Sequence, residues 1–198
     1  MTLSALIHIT NSRMKAQELF LLLKDKKYLV RQGYYEYELP KIKKFCQQNS
    51  LHSVQSKFKI LLDDKHNFTN RGLRISETDP RPGMHFIYIS KDEKTANLAL
   101  LSELQNNHLQ LGQLLNYPGC CTTFFTTSFN DQHTNLEHPS TNPWTNLTKR
   151  EQDICFLSHF PCSSDCPKSI FLAKLYYTTL QQENPTYAEE LFNKLNMP

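Results

Sequence analysis

Helical and extended patterns occupy different stretches of this chain, which predicts an α+β fold: N-terminal helices and a small, mostly antiparallel sheet, followed by a predominantly helical half that carries five of the six cysteines. The first observation behind that prediction is the stretch from Ser12 to Val30, where Met14, Leu19, Leu22, Leu23 and Leu29 recur among charges at helical spacing. The second is a run of short extended pieces between Lys57 and Ile89. The third is the return of helical spacing after Asp92. The change of texture places a boundary near residue 90, with helices plus sheet in 1–90 and the cysteine-bearing region in 91–198, packed as one unit.

Gly33 is expected to end the first helix, and Pro40 to open a second, shorter one through Ile42, Phe45 and Cys46. The intervening Tyr34, Tyr35 and Tyr37 read as a half-buried aromatic seam. Phe58-Lys-Ile-Leu-Leu62, Gly72-Leu-Arg-Ile75 and Met84-His-Phe-Ile-Tyr-Ile89 read as strands, with turns at Asp63-Asp-Lys-His-Asn67 and at the proline-rich Asp79-Pro-Arg-Pro-Gly83. Ser90-Lys-Asp-Glu93 matches a capping box, in which a serine hydroxyl and a glutamate carboxylate satisfy free backbone donors, and it predicts a helix to about Leu115 with Leu100, Leu104, Leu111 and Leu115 on one face. The polar stretch from Asn130 to Trp144 has two prolines and no helical period, and predicts a long loop that Trp144 anchors to the body. Thr148-Lys-Arg-Glu151 predicts a short helix through Ile154, Cys155 and Leu157. A long helix from about Ser164 should bury Ile170, Ala173, Tyr177 and Leu180, and Asn184-Pro185 should cap and start a last helix to about Leu195.

With 198 residues the chain can bury a core without disulfide or metal staples. Its net charge of +3 is spread thinly, densest at Lys24, Lys26, Lys27 and Arg31 and again at Lys41, Lys43 and Lys44. Such runs read as solvated helix faces and argue against nucleic acid as more than a weak contact. The apolar run from Ser4 to Ile9 is too short for a signal peptide, and no stretch reaches membrane-spanning length, so a cytosolic location with reduced thiols and no membrane partner is expected. On that expectation the glycosylation patterns at Asn67-Phe-Thr69 and Asn146-Leu-Thr148 carry no meaning. Phosphate-cradling glycine loops, nucleophile elbows and His-Glu-x-x-His pairs are absent from the sequence.

The chemistry lies in two cysteine boxes. Asn116-Tyr-Pro-Gly-Cys-Cys-Thr-Thr-Phe-Phe125 sets Cys120 and Cys121 after a Pro-Gly turn, and His159-Phe-Pro-Cys-Ser-Ser-Asp-Cys-Pro-Lys-Ser169 sets Cys162 and Cys166 before a helix. Helix starts favour thiolate over thiol, so both boxes are expected to carry activated sulfurs, with Cys166 aimed at the core. Two such starts converging would suit a four-thiolate centre. Adjacent cysteines are poorly placed to give both sulfurs to one tetrahedral ion; they serve different irons of a cluster more readily, or one ligates while the other stays free, which favours an iron–sulfur cluster over zinc. His159, three residues before Cys162, is the foremost further ligand; His133 and His138 ride on the polar loop. Asp165 could orient a ligand or stabilise the helix start by its charge. Cys46 and Cys155 sit alone on helical patterns and read as inert packing.

The pair of boxes resembles the signature of a family of archaeal and bacterial proteins of unestablished activity, which carries Gly-Tyr-Pro-x-Cys-Cys-x-x-x-Phe followed by Pro-Cys-x-x-x-Cys-x-x-Ser. The likeness rests on Tyr117, Pro118, Cys120, Cys121, Phe125, Pro161, Cys162, Cys166 and Ser169 and covers roughly Asp92 to Thr179. Asn116 departs from it, standing where that family tends to have glycine. The resemblance implies a shared cysteine site and no particular reaction. Three functions follow from the residues: a metal-binding protein holding an iron–sulfur cluster or zinc on Cys120, Cys121, Cys162 and Cys166; a metal-free thiol oxidoreductase or cysteine-dependent enzyme, whose disulfide would join the two boxes because a Cys120–Cys121 bridge is strained; and an interaction module braced by its cysteines.

Overall fold

The computed structural model describes residues 1–62, 72–130 and 132–196 and has the predicted α+β architecture. Among these residues there are eight α-helices: α1 (Leu3–Thr10), α2 (Arg13–Leu23), α3 (Leu39–Gln48), α4 (Glu93–Leu104), α5 (His108–Leu114), α6 (Gly119–Ser128), α7 (Pro167–Glu183) and α8 (Pro185–Leu195). Four strands, β1 (Leu29–Tyr34), β2 (His52–Leu62), β3 (Gly72–Ser76) and β4 (Met84–Ser90), form one antiparallel sheet in the order β1-β4-β2-β3. The turn expected at Asp63–Asn67 and the pattern at Asn67–Thr69 lie outside the described residues. No described helix is long and apolar enough to cross a membrane.

Alternation along the strands divides the interior into two clusters, because successive side chains leave a strand on opposite faces. Val30, Tyr34, Ile87 and Ile89 face the larger cluster, built with Leu6, Phe20, Phe45, Ala173 and Leu180 of the surrounding helices. Leu29 and Tyr88 face the smaller one, closed by Ala96 and Ala99 of α4 and Leu111 and Leu115 at α5. The sheet is therefore covered on both faces. In β2 the register slips between Gln55 and Lys59, and Ser56 Oγ accepts from Phe86 N at 3.0 Å there, replacing a ladder partner.

Several elements depart from the sequence reading, each for a local reason. The first helix stops at Leu23, where Asp25 turns left-handed at φ 58°, and Leu29 to Tyr34 form an edge strand that contains Gly33. The stretch after Asp92 is two helices rather than one: Asn106 takes φ 53°, and the Asn107 side chain caps α5 by accepting from Gln110 N at 3.1 Å. Leu104 consequently faces solvent, and Ala96 and Ala99 do the packing. Asp92, not Ser90, caps α4, accepting from Thr95 N at 2.9 Å. The short helix after Thr148 reduces to a 3-10 turn, Arg150–Gln152, ended by Asp153 at φ 64°. The Asp153 carboxylate is committed elsewhere: it takes hydrogens from Ser12 Oγ and the Arg13 and Met14 amides at the start of α2. The buried face of α7 is Ser169, Leu172, Ala173, Tyr176, Thr179 and Leu180, while Ile170 and Tyr177 are half-buried. Of the tyrosines, Tyr34 is buried whereas Tyr37 is 80% exposed and stacks on Tyr35. Lys27 belongs to no solvated face; it is 2% exposed and pairs with Glu18 at 2.7 Å.

Candidate metal centre

The first box is aimed by a left-handed turn and a close helix crossing. α5 ends at Leu114, and Asn116 adopts φ 62°, a conformation that glycine takes freely and asparagine tolerates better than other residues. Asparagine at this position is thus compatible with the turn. Tyr117 N then donates to Gly112 O at 2.9 Å, and Pro118 becomes the N-cap of α6, one position earlier than the first helical turn. Gly112 faces Thr122 so closely that an added Cβ would lie 2.4 Å from Thr122 Cγ2. Only glycine lets α6 settle at that distance from α5.

The second box is a tight knot ending in α7. Cys166 N donates to Ser163 O at 3.2 Å, Ile170 N to Cys166 O at 2.9 Å, and Cys166 itself is the N-cap. The helix therefore begins at Pro167, later than the expected Ser164, yet the Cys166 sulfur is buried as anticipated. The polar loop grips this knot: Asn142 Nδ2 donates to Ser164 O at 2.9 Å, Thr141 Oγ1 to Asp165 Oδ1 at 2.8 Å, and Thr145 Oγ1 to Ser164 O. Trp144 fixes the loop from behind, packing against Phe156, Tyr177 and Phe192. Asp165 accordingly holds the loop rather than a sulfur.

The two boxes meet. Cys120 Sγ lies 3.9 Å from Cys121 Sγ and 3.8 Å from Cys166 Sγ, Cys121 Sγ lies 3.7 Å from Cys166 Sγ, and all four sulfurs including Cys162 fall within 4.8 Å of one another. These four cysteines could hold a metal ion. Their surroundings differ. Cys121 and Cys166 are buried, Cys162 is half-buried and Cys120 is exposed. Cys121 Sγ receives the Cys162 amide at 3.4 Å and stands 3.2 Å from Ser169 Oγ. Burial pushes the Cys121 thiol up despite these donors, and likewise raises Cys162 to about 11. For Cys166 burial also acts upward, but donation from the Ser169 hydroxyl, which it shares with Cys121, and from the Ser169 amide prevails and brings the thiol down to about 7. The uniform activation expected from helix starts is therefore absent: burial outweighs the donors at Cys121, and Cys162 lies in the knot ahead of α7 rather than at its start.

His159 is adjacent to this centre without being among its closest donors. Its Nε2 is 2.9 Å from Ser169 Oγ, so the imidazole reaches the sulfurs through that hydroxyl. Where Cys121 is a thiolate it can only accept, so Ser169 O–H donates to it and takes its own hydrogen bond from His159, assigning the Nε2–H tautomer. Burial, reinforced by the positive charges of Lys27 and Arg150, lowers His159 to about 3 and keeps the ring neutral. Tyr117 stacks on that ring with centroids 4.9 Å apart, and its hydroxyl lies 3.3 Å from Ser158 Oγ, which in turn receives Lys27 Nζ at 3.1 Å. His138 packs on Phe124 and His133 bonds within its own loop at Asn130, and neither belongs to the group of close donors formed by the four cysteines.

Sequence reasoning assigned no physical role to Ser169 and missed Lys27, Glu18 and the loop contacts at Thr141, Asn142 and Thr145. Ser169 was legible in principle, since it follows Cys166 by three residues on a helix and so shares its face. Lys27 carried no such signal. No protein-family model, curated protein or solved structure matches the chain.

Proposed function

We propose that the protein is a metal-binding protein in which Cys120, Cys121, Cys162 and Cys166 hold one tetrahedral ion, zinc, as a closed centre joining the start of α6 to the start of α7. The observation that carries this reading is sulfur spacing. Four sulfurs at about 2.3 Å from one zinc ion stand about 3.8 Å apart. The three separations among Cys120, Cys121 and Cys166 are 3.7, 3.8 and 3.9 Å, and those to Cys162 stay within 4.8 Å. A cluster of two or more irons sets some of its cysteine sulfurs a further metal-to-metal distance apart, and the compact set here favours a single ion over the iron–sulfur cluster that adjacency in sequence suggested. Cys120 and Cys121 escape the expected strain because they lie in the first turn of α6, where their sulfurs converge on Cys166.

Four protein thiolates leave no open position, so the ion's own role is to bind elements together rather than to activate water. Anaerobic purification followed by metal and sulfide analysis tests the reading. One zinc per chain in a colourless protein is expected, and cobalt substitution should give the absorption of a tetrahedral tetrathiolate. Stoichiometric iron with acid-labile sulfide would replace zinc by a cluster, and six freely reactive thiols without metal would end the metal reading. One observation favours a second reading, the metal-free thiol couple: Cys166, lowered to about 7, lies 3.8 Å from the exposed Cys120. It predicts a reversible Cys120–Cys166 disulfide in protein that takes up no zinc.

A further inference from the structure

The four corners of the centre are unequal in the two properties that govern the nucleophilicity of a metal-bound thiolate: access, and hydrogen bonds to sulfur. Donated hydrogens stabilise thiolate charge and make its lone pair less available. Cys121 is buried and has both the Cys162 amide and the Ser169 hydroxyl on its sulfur. Cys166 is buried, with its sulfur against those of Cys120 and Cys121. Cys162 is half-buried in the knot that the polar loop clamps through Ser164 and Asp165. Cys120 is the exposed corner, and its contacts are to the sulfurs of Cys121 and Cys166, with no N–H or O–H donor on Sγ among the described residues.

The chain before it keeps the approach clear. Beyond its two chain neighbours and the nearby backbone of its own helix, Gly119 has no atom within 4 Å of where a Cβ would project, so the helix start is open on that side. Displacement at carbon needs that freedom, because the attacking sulfur, the carbon and the leaving group must align. From these facts we propose that Cys120 is an acceptor for small, soft carbon electrophiles, the nucleophilic corner of the zinc centre, with Cys121, Cys162 and Cys166 retaining the ion. The inference rests on the zinc reading above. In the step, a lone pair on Cys120 Sγ forms the new S–C bond while the bond from carbon to the leaving group breaks. The leaving group departs with that electron pair as an anion, and the product is a thioether on Cys120. The centre loses one negative charge, and no proton, oxidant or reductant is consumed.

The experiment uses the intact protein loaded with one zinc per chain, limiting iodoacetamide as the electrophile, and peptide mass mapping at pH 6.5, 7.5 and 8.5. Cys120 should be carbamidomethylated first, roughly tenfold or more ahead of Cys162, because it alone of the four residues is exposed and its Sγ has no N–H or O–H donor among the described residues. Its rate should change by less than about threefold across the pH range, since a metal-bound thiolate is already deprotonated, whereas a free thiol gains about tenfold per unit below its pKa. With zinc present, labelling of Cys162 at a comparable rate, a thiol-like pH dependence or an inert centre each overturns the inference alone. A chain that binds no zinc overturns this inference and the zinc reading together.

Discussion

Ser169 and His159 act through the sulfurs without belonging to the four-cysteine set. Replacing Ser169 by alanine removes the one hydroxyl that Cys121, 3.2 Å away, shares with Cys166, and leaves His159 Nε2 unpartnered. Loss of an orienting group of this kind costs roughly 10–100-fold in metal affinity, so zinc competition against a chelator should show a drop of that order. Unchanged affinity would reduce Ser169 to packing. His159 is expected to appear in the pH dependence of folding, measured by urea unfolding of the reduced, metal-free chain. The folded protein holds the imidazole neutral down to about 3. The unfolded chain takes up its proton near the ordinary histidine value of about 6.5, so below that pH the unfolded state binds more protons. Stability from this group is therefore complete above about pH 6.5 and declines toward pH 3 at up to about 1.4 kcal/mol per unit. Glu18, whose carboxyl is held below its usual range by Lys27 and Gln32 against its burial, adds a loss of the same sign, but only below about pH 4.5. Between pH 5 and 6.5 a His159→Gln variant should accordingly show a flatter slope than the parent, and equal slopes would sink the assignment.

Between elements, the contact that aims the first box is the α5–α6 crossing. An alanine at Gly112 gains about 1 kcal/mol of helix propensity. Its Cβ, however, would meet Thr122 Cγ2 at 2.4 Å and Oγ1 at 2.7 Å, too short for any packing without movement. Overpacking of this kind costs about 1–3 kcal/mol, so Gly112→Ala should lower the melting temperature and weaken zinc binding. Adding Thr122→Ala should recover much of both, and failure of the double variant to recover would exclude this crossing as the cause. The same elements show which parts of the fold were legible. α3, α8 and β4 follow from periodicity and end signals because their own side chains decide them: Pro40 lies in the first turn of α3, and the Asn184 side chain caps α8 at Tyr187 N. In sequence the start of β1 fits the end of a helix equally well, because Leu29 and Val30 suit both periods, and only pairing with Ile89 and Ser90 selects the strand. The break at Asn106 and Asn107 rests on a left-handed residue that helical spacing does not register. At the centre, residue types marked the four cysteines as a set, but not that adjacent sulfurs would converge, since this depends on where α6 begins. The Lys27–Glu18 pair was invisible because burial of a lysine is a tertiary fact.

Across the whole molecule, the cysteines join parts that rest on different clusters. Leu115 and Tyr117, leading into the first box, pack with the smaller cluster on one face of the sheet, while Phe124 and Phe125 of α6 and Leu172, Ala173 and Leu180 of α7 pack with the larger cluster on the other. A metal on the four sulfurs would clamp α6 against α7 and hold the knot, with the loop at Thr141 to Thr145 following because it is bonded to Ser164 and Asp165. The larger cluster does not need that clamp: Leu6, Leu19, Phe20, Leu22, Ile42 and Phe45 bury one another at the other end of the chain, and Asp153 closes the start of α2 without any sulfur. Chelation should therefore loosen the molecule locally instead of unfolding it, unlike a small zinc finger in which the ion supplies most of the folding energy. Free zinc at a hundred times its dissociation constant adds about 2.7 kcal/mol to global stability, which should appear as a melting temperature that rises with zinc concentration. Hydrogen exchange read by mass spectrometry locates the effect. After chelation under reducing conditions, peptides spanning 116–128 and 139–166 should exchange faster, while those of α2 and β4 keep their protection. Uniform loss of protection would mean that the ion is an obligate part of the core, and unchanged exchange in the two boxes would mean that their sulfurs do not share an ion.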